Sequence, residues 1–316
     1  MYHFVRPAPT GGFSQFAALD LSAFREQLRY VRRHYSPVRL ADVVSAANDG
    51  DPLPPRPIVL TFDDGYRDHV DHVFPLLVDQ GMPATFFPVR SALVDRRILD
   101  TNKVQFILAA APDRTSIVSA IDQAIENSRE TAGGTVEAYR ARWWRPSRFD
   151  GPDVVYVKRM LQHGLPDEIR RPLVASLFRQ YVTGDEAAFA AGLYLTVKDA
   201  RMMLAAGMEF GGHGDRHIPL PALGAEDQMR EIDGAVDMLR AIGVPGPFVY
   251  SYVKGEYDAT SVKLLRARGC VIAVTTREDL ARPGVDDALT LPRIDTNRLP
   301  TDGDAPPNDW TTQALP

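Results

Sequence analysis

The stretch VLTFDDGYRDH, residues 59–69, sets two carboxylates side by side, Asp63 and Asp64, where an apolar run stops. Adjacent carboxylates repel each other and are costly to desolvate; a cation bound to one of them relieves the repulsion and keeps its neighbour ionised. An Asp before Gly also serves as a helix N-cap or an Asx turn, which accounts for one acid but not for both. A second group lies in GGHGDRHIPL, where His213 and His217 follow an apolar run that starts at Met208. Histidines at this spacing share one helical face or converge across a compact turn, and the flanking glycines permit close backbone approach. Two imidazoles and one carboxylate make a ligand set with an open position, the arrangement of a catalytic metal site. Such donors suit zinc, with cobalt, nickel, manganese or iron as alternatives.

These residues need strand ends to hold them. Seven short apolar or β-branched runs read as strands: YHFV, IVLTF, ATFFPV, MEFGG, PFVYSY, CVIAVTT and LTLPRI. Amphipathic patterns between them predict helices after Ser22 as N-cap, over 66–80, over 225–242 and over 258–268, and Thr196 with Asp199 reads as a capping box. Gly81, Gly207, Gly243 and Gly269 each follow a helical pattern, as C-terminal caps do. Near-continuous apolar strands alternating with helices predict an α/β fold with a parallel sheet covered on both faces. Seven units suit a closed, TIM-like barrel, in which chemistry sits at the C-terminal strand ends.

About 105 residues separate the third run from Thr196, far beyond an ordinary connection. Residues 91–195, with their own helical patterns and the stretch AYRARWWRPSRFDG, read as a helical insertion or lid within one catalytic domain spanning residues 1–316. Trp143 and Trp144, set between arginines, suit a sugar, an anionic ligand or an anchor to the barrel. The Pro- and Asp-rich C-terminal tail reads as irregular.

The net charge of -5 excludes a general nucleic-acid binder, and no apolar stretch is long enough to span a membrane. The single cysteine, Cys270, allows no internal disulfide. The opening MYHFVRPAPTGG lacks the charged and apolar regions of a secretory signal, so the cytoplasm is the expected location.

TFDDG followed by H-x-x-x-H resembles the first two signature motifs of the polysaccharide deacetylases, carbohydrate esterase family 4 with its NodB-type homology domain. FVYSYVKGEYD resembles the third motif, and AVTTRED and LTLPRID resemble later motifs of a bacterial branch. The resemblance implies a distorted (β/α)7 barrel with Asp63 as general base and Asp64, His213 and His217 as metal ligands. It also implies the Tyr252 backbone N–H as an oxyanion donor. The substrate it implies is an N-acetylated or N-formylated amino sugar, whether free, nucleotide-linked, lipid-linked or polymeric, in surface-polysaccharide or lipopolysaccharide assembly. A non-sugar amide hydrolase on the same barrel and a weakly active sugar-binding relative are the alternatives.

The sequence departs from the family pattern in four respects. Gly214 replaces the usual hydroxyl residue after the first histidine, and Ser251 replaces the proline of the third motif. The arginine that braces the base from that motif is missing, which leaves Arg293 for the task, with Arg277 as competitor. LPRI stands where the family carries its histidine acid, so His3, and behind it His69, are the candidates for the general acid.

Overall fold

The computed structural model describes residues 1–7, 18–147 and 150–314. The chain divides into a larger unit, made of Met1–Ala8, Ala18–Arg97 and Ala190–Pro316, and a second unit that contains Ile98–Phe189. The described strands all lie in the larger unit. They are β1 (Val5–Arg6), β2 (Leu19–Asp20), β3 (Ser36–Pro37), β4 (Pro57–Ile58), β5 (Leu60–Asp64), β6 (Ala84–Pro88), β7 (Glu209–Phe210), β8 (Phe248–Ser251) and β9 (Cys270–Val274).

Each pairing is parallel: β1 with β2, β3 with β4, β5 with β6 and then β7, and β8 with β9. Single parallel bridges extend them, from Tyr2 to Phe62, from Gly212 to Tyr250 and from Val274 to Leu291. The order Tyr2, β5, β6, β7, β8, β9, Leu291 follows the seven apolar runs of the sequence. Beyond Leu291, the Met1 nitrogen donates to the Ile294 carbonyl (2.9 Å), and the Thr296 N–H donates to the Met1 carbonyl (3.2 Å). The fold is α/β with parallel strands.

Both faces of these strands are apolar, as parallel sheets require. On one face Tyr2 stacks on Phe62 (4.9 Å between centroids), Phe62 on Phe86 (5.0 Å) and Phe86 on Phe210 (5.7 Å). This row crosses neighbouring strands in register, the contact that stabilises a sheet laterally. On the other face Val59, Phe87, Val249, Ile272, Val274 and Leu291 pack with Val38, Leu40 and Val43.

The helix Ala225–Ile242 ends on Gly243 (φ 99°), and Thr196 and Asp199 form the capping box that opens Val197–Ala205. Two local expectations are corrected. The first helix, Leu21–His34, is capped by Asp20, whose carboxylate accepts the Ser22 N–H, so Ser22 lies inside the helix. The segment 66–80 is not one regular helix: a π-helical turn, His69–Val73, precedes an α-helix, Phe74–Asp79. Pro75 explains the widening, because its ring crowds the carbonyl one turn back and it has no N–H to donate. The C-terminal tail is partly ordered as the helix Asp309–Gln313, capped by Asn308. The second unit is helical among its described residues, with Asp100–Ala110, Arg114–Asn127 and Asp167–Tyr181 as its longest helices.

Candidate active site

Asp63 and Asp64 end β5, and strand alternation sends their side chains to different sides. Asp64 takes a left-handed backbone (φ 71°) and Gly65 follows with φ 73°. A Cβ on Gly65 would stand 2.6 Å from the Pro88 Cβ, so only glycine lets the chain turn away here against β6.

Asp63 is buried and gripped. Arg293 donates from Nη1 to Oδ1 (2.9 Å) and from Nη2 to Oδ2 (2.8 Å). The same guanidinium donates to the Thr275 carbonyl (2.9 Å), to Thr61 Oγ1 (3.3 Å) and to Ser251 Oγ (2.9 Å), and the Ser251 hydroxyl donates to Asp63 Oδ2 (3.2 Å). Burial alone would raise the Asp63 pKa, but the charge of Arg293, then that of His213, outweighs it and holds the carboxyl well below the usual carboxylate range. Of the two arginines considered for this brace, Arg293 makes the contact; Arg277 pairs with the exposed Asp279 instead.

Asp64 meets both histidines. Its Oδ1 lies 3.2 Å from His217 Nε2 and 3.4 Å from His213 Nε2, while its Oδ2 accepts a hydrogen bond from the Tyr66 hydroxyl (2.6 Å). His213 Nδ1 stands 2.7 Å from the Ser251 carbonyl, which can only accept, so Nδ1 carries a proton and Nε2 is the ring nitrogen that faces Asp64. Burial works against charge on both partners. Even so, His217 and His213 hold Asp64 well below its ordinary pKa, and Asp64 with Asp63 raises that of His213.

The structure thus brings Asp64, His213 and His217 together, with one potential ligand atom from each within 4.8 Å of the others. Asp64 Oδ1 is buried and, among the described residues, receives no well-formed hydrogen bond; the two imidazole nitrogens are its polar neighbours. A buried carboxylate oxygen facing two imidazole nitrogens fits a cation, so this donor set could hold a metal.

The loop that carries the histidines is held from behind. Gly211 has no room for a side chain, since a Cβ there would lie 2.4 Å from the Phe87 ring and 2.7 Å from the Val249 carbonyl. Glu231, fully buried on the helix Ala225–Ile242, accepts the N–H groups of Asp215 (2.9 Å) and Arg216 (2.9 Å) and the Arg216 Nε (2.6 Å). His217 follows with φ 62°. Glu231, Tyr66 and the hydroxyl of Ser251 are given no role by any motif that the sequence displays. A signal for Glu231 existed, because it falls on the apolar stripe of its helix, between Gln228 and Ala235.

Tyr252 needs a correction. Its N–H donates to the Val274 carbonyl (3.0 Å) and its hydroxyl to the Leu289 carbonyl (3.0 Å). The N–H is committed to the β8–β9 pairing, so it is not free to bind an oxyanion. His69 is corrected as an acid: it is fully buried, its Nε2 donates to the His3 carbonyl (2.9 Å), and Phe62, Tyr66 and Phe86 surround its ring. His3 itself is exposed and near enough for its charge to lower the pKa of both aspartates.

A family model described as polysaccharide deacetylase matches residues 50–114 and 179–273, just over half of the chain. The chain is 42% identical over 78 residues to the poly-beta-1,6-N-acetyl-D-glucosamine N-deacetylase of Escherichia coli (strain K12), a match that covers 24% of this chain and 12% of that protein. The chain therefore spans only about an eighth of the length of this curated relative. Among solved structures, the Streptococcus pyogenes deacetylase PplD in complex with acetate is similar with a TM-score of 0.58 at 15% identity, over 93% of this chain and 88% of that one. IcaB from Ammonifex degensii is similar with a TM-score of 0.52 at 16% identity, over 99% and 95%. At such identities these two structures establish a shared fold.

Proposed function

The chain belongs to the polysaccharide deacetylase family, and from that premise we propose that it is a metal-dependent N-deacetylase of amino sugars in a surface polysaccharide. The observation that carries the reading is the buried cluster in which Asp64 Oδ1 faces His213 Nε2 and His217 Nε2. Zinc is the first choice for these donors, with cobalt, nickel, manganese or iron as alternatives. Asp64, His213 and His217 would hold such a cation, which would supply Lewis-acid polarisation of an amide carbonyl and lower the pKa of a water.

The chain's own residues do the rest. Arg293 keeps Asp63 ionised inside the fold, so that it can take a proton from an attacking water as general base. The Ser251 carbonyl fixes the His213 tautomer. His3, exposed beside both aspartates, is the candidate to protonate the departing amine. The parallel order from Tyr2 through Leu291, with the contacts of Met1 to Ile294 and Thr296, supports reading the larger unit as a distorted (β/α)7 barrel. A polymer of N-acetylglucosamine is the substrate class to test first, since that is what the Escherichia coli relative's name gives.

The test compares Asp63→Asn with wild type, both loaded with zinc or cobalt, for acetate release from N-acetylglucosamine oligomers and formate release from N-formyl analogues. We expect a loss of about 10²–10⁴-fold with metal content unchanged. Equal rates would remove Asp63 as the base. A metal-loaded wild type that releases neither acid would replace the deacetylase with a sugar-binding relative.

A further inference from the structure

We infer that Ser251 is a positioning residue for the base, and that with Arg293 it selects Asp63 Oδ1 as the oxygen that receives the proton. The inference rests on the deacetylase reading for its catalytic consequence, but the contacts stand without it.

Ser251 closes β8 and is fully buried. Its backbone is used on both sides: the N–H donates to the Gly212 carbonyl (2.8 Å), and the carbonyl accepts from His213 Nδ1 (2.7 Å). The hydroxyl lies between the charged pair, accepting from Arg293 Nη2 (2.9 Å) and donating to Asp63 Oδ2 (3.2 Å). One residue therefore holds a candidate ligand through its backbone and the base through its side chain.

Lone-pair counting gives the consequence. A carboxylate offers about four acceptor positions, two on each oxygen. Both positions on Oδ2 are taken, one by Arg293 Nη2 and one by the Ser251 hydroxyl. Oδ1 accepts Arg293 Nη1, and its other position takes no hydrogen bond from the described residues. The two-point guanidinium contact also fixes the plane of the carboxylate, so the open lone pair has a set direction. Without the hydroxyl, Oδ2 would have an open position as well. A water could then settle there, and the base would lose its single orientation. A proline at this position, as in the third motif of similar deacetylases, would supply neither the hydroxyl nor the N–H, so this clamp is a feature of the present chain.

Three variants test it: Ser251→Ala, Ser251→Thr and Ser251→Val, each compared with wild type as the cobalt-loaded protein. Threonine keeps a hydroxyl and valine has nearly the same shape without one, so the pair separates hydrogen bonding from packing. We expect kcat to fall about tenfold in the alanine and valine variants, with KM and the cobalt absorption spectrum unchanged and threonine within about twofold of wild type. A Ser251→Ala variant with wild-type kcat would overturn the inference while Asp63→Asn remained inactive, which keeps the two readings apart. A loss that appears in KM, or that comes with a changed cobalt spectrum, would assign Ser251 to substrate binding or to His213 instead. The bond can also be read without substrate. Ser251→Ala and Asp63→Asn should be non-additive in a double-mutant cycle on the urea midpoint, and additivity would overturn the contact. Should the β-branched variants fail to fold, the alanine variant decides alone.

Discussion

Arg293 and Arg142 both lie over an aromatic ring, Arg293 over Phe87 (5.9 Å) and Arg142 over Trp143 (4.6 Å), and they are used in opposite ways. Arg293 is buried, and its N–H groups are spent on Asp63, Thr61, Thr275 and Ser251. Arg142, in the second unit, is exposed and has no carboxylate partner among the described residues. Arg159 also reaches the Trp143 ring (5.6 Å), and its Nη1 stands 3.3 Å from His163 Nε2. A guanidinium in water keeps its hydration and gains little from a neighbour, whereas a buried one must be fully matched or the fold loses several kcal/mol. The difference teaches where a charge is structural machinery and where it is a solvated surface. Residues 148–149, at the end of this arginine-rich stretch, lie outside the described residues.

The comparison breaks most easily at Arg293. Replacing it with alanine leaves Asp63 buried and uncompensated, and should cost about 3–5 kcal/mol in urea unfolding. Adding Asp63→Asn should return part of that loss, because the orphaned charge goes with it. If Arg293→Ala costs less than about 1 kcal/mol, the clamp is not holding a buried charge.

A smaller effect is expected at Glu231, which binds the histidine loop without touching either aspartate in the hydrogen bonds described. Glu231→Gln turns one acceptor oxygen into a donor facing N–H groups, at about 1.5–3 kcal/mol in thermal or urea unfolding. Zinc affinity, measured by competition with a chelator, should fall about 10–100-fold, as for residues that orient ligands from behind. Unchanged affinity in a destabilised variant would make Glu231 a packing residue only.

Arg142→Ala marks the other end of the scale. It should change stability by no more than about 0.5 kcal/mol. A loss well above that in the urea midpoint would mean that the second unit depends on the exposed guanidinium, and the contrast with Arg293 would fail.

The parts of this site that could be read from the sequence are those encoded within a few residues. DDG and H-x-x-x-H carry their chemistry in local spacing, and the helix Ala225–Ile242 and the Thr196–Asp199 capping box are likewise local patterns. Arg293 stands out in the sequence because it ends the last apolar run, yet its geometry depends on a partner 230 positions away. Ser251 reads as a missing proline in the sequence; its role appears only once β8 lies beside both Asp63 and the His213 loop. The Tyr252 N–H, an oxyanion donor by family resemblance, is engaged elsewhere for a related reason. N–H groups alternate in direction along a strand, and only the register shows that Ser251 donates toward Gly212 and Tyr252 toward Val274. The π-helical turn before Pro75 interrupts an otherwise regular helical pattern because composition alone does not say where a ladder widens.

Asp64 and His217 are both held in left-handed backbone conformations, at φ 71° and 62°. For a residue with a side chain this costs on the order of 1 kcal/mol. Two of the three candidate ligands thus sit where glycine would be the more comfortable residue. A screen of random variants for heat resistance alone would therefore favour losing them, and a stabilised descendant could keep its strands while shedding its chemistry. At these two positions the chemistry of the site and the comfort of the backbone pull in opposite directions.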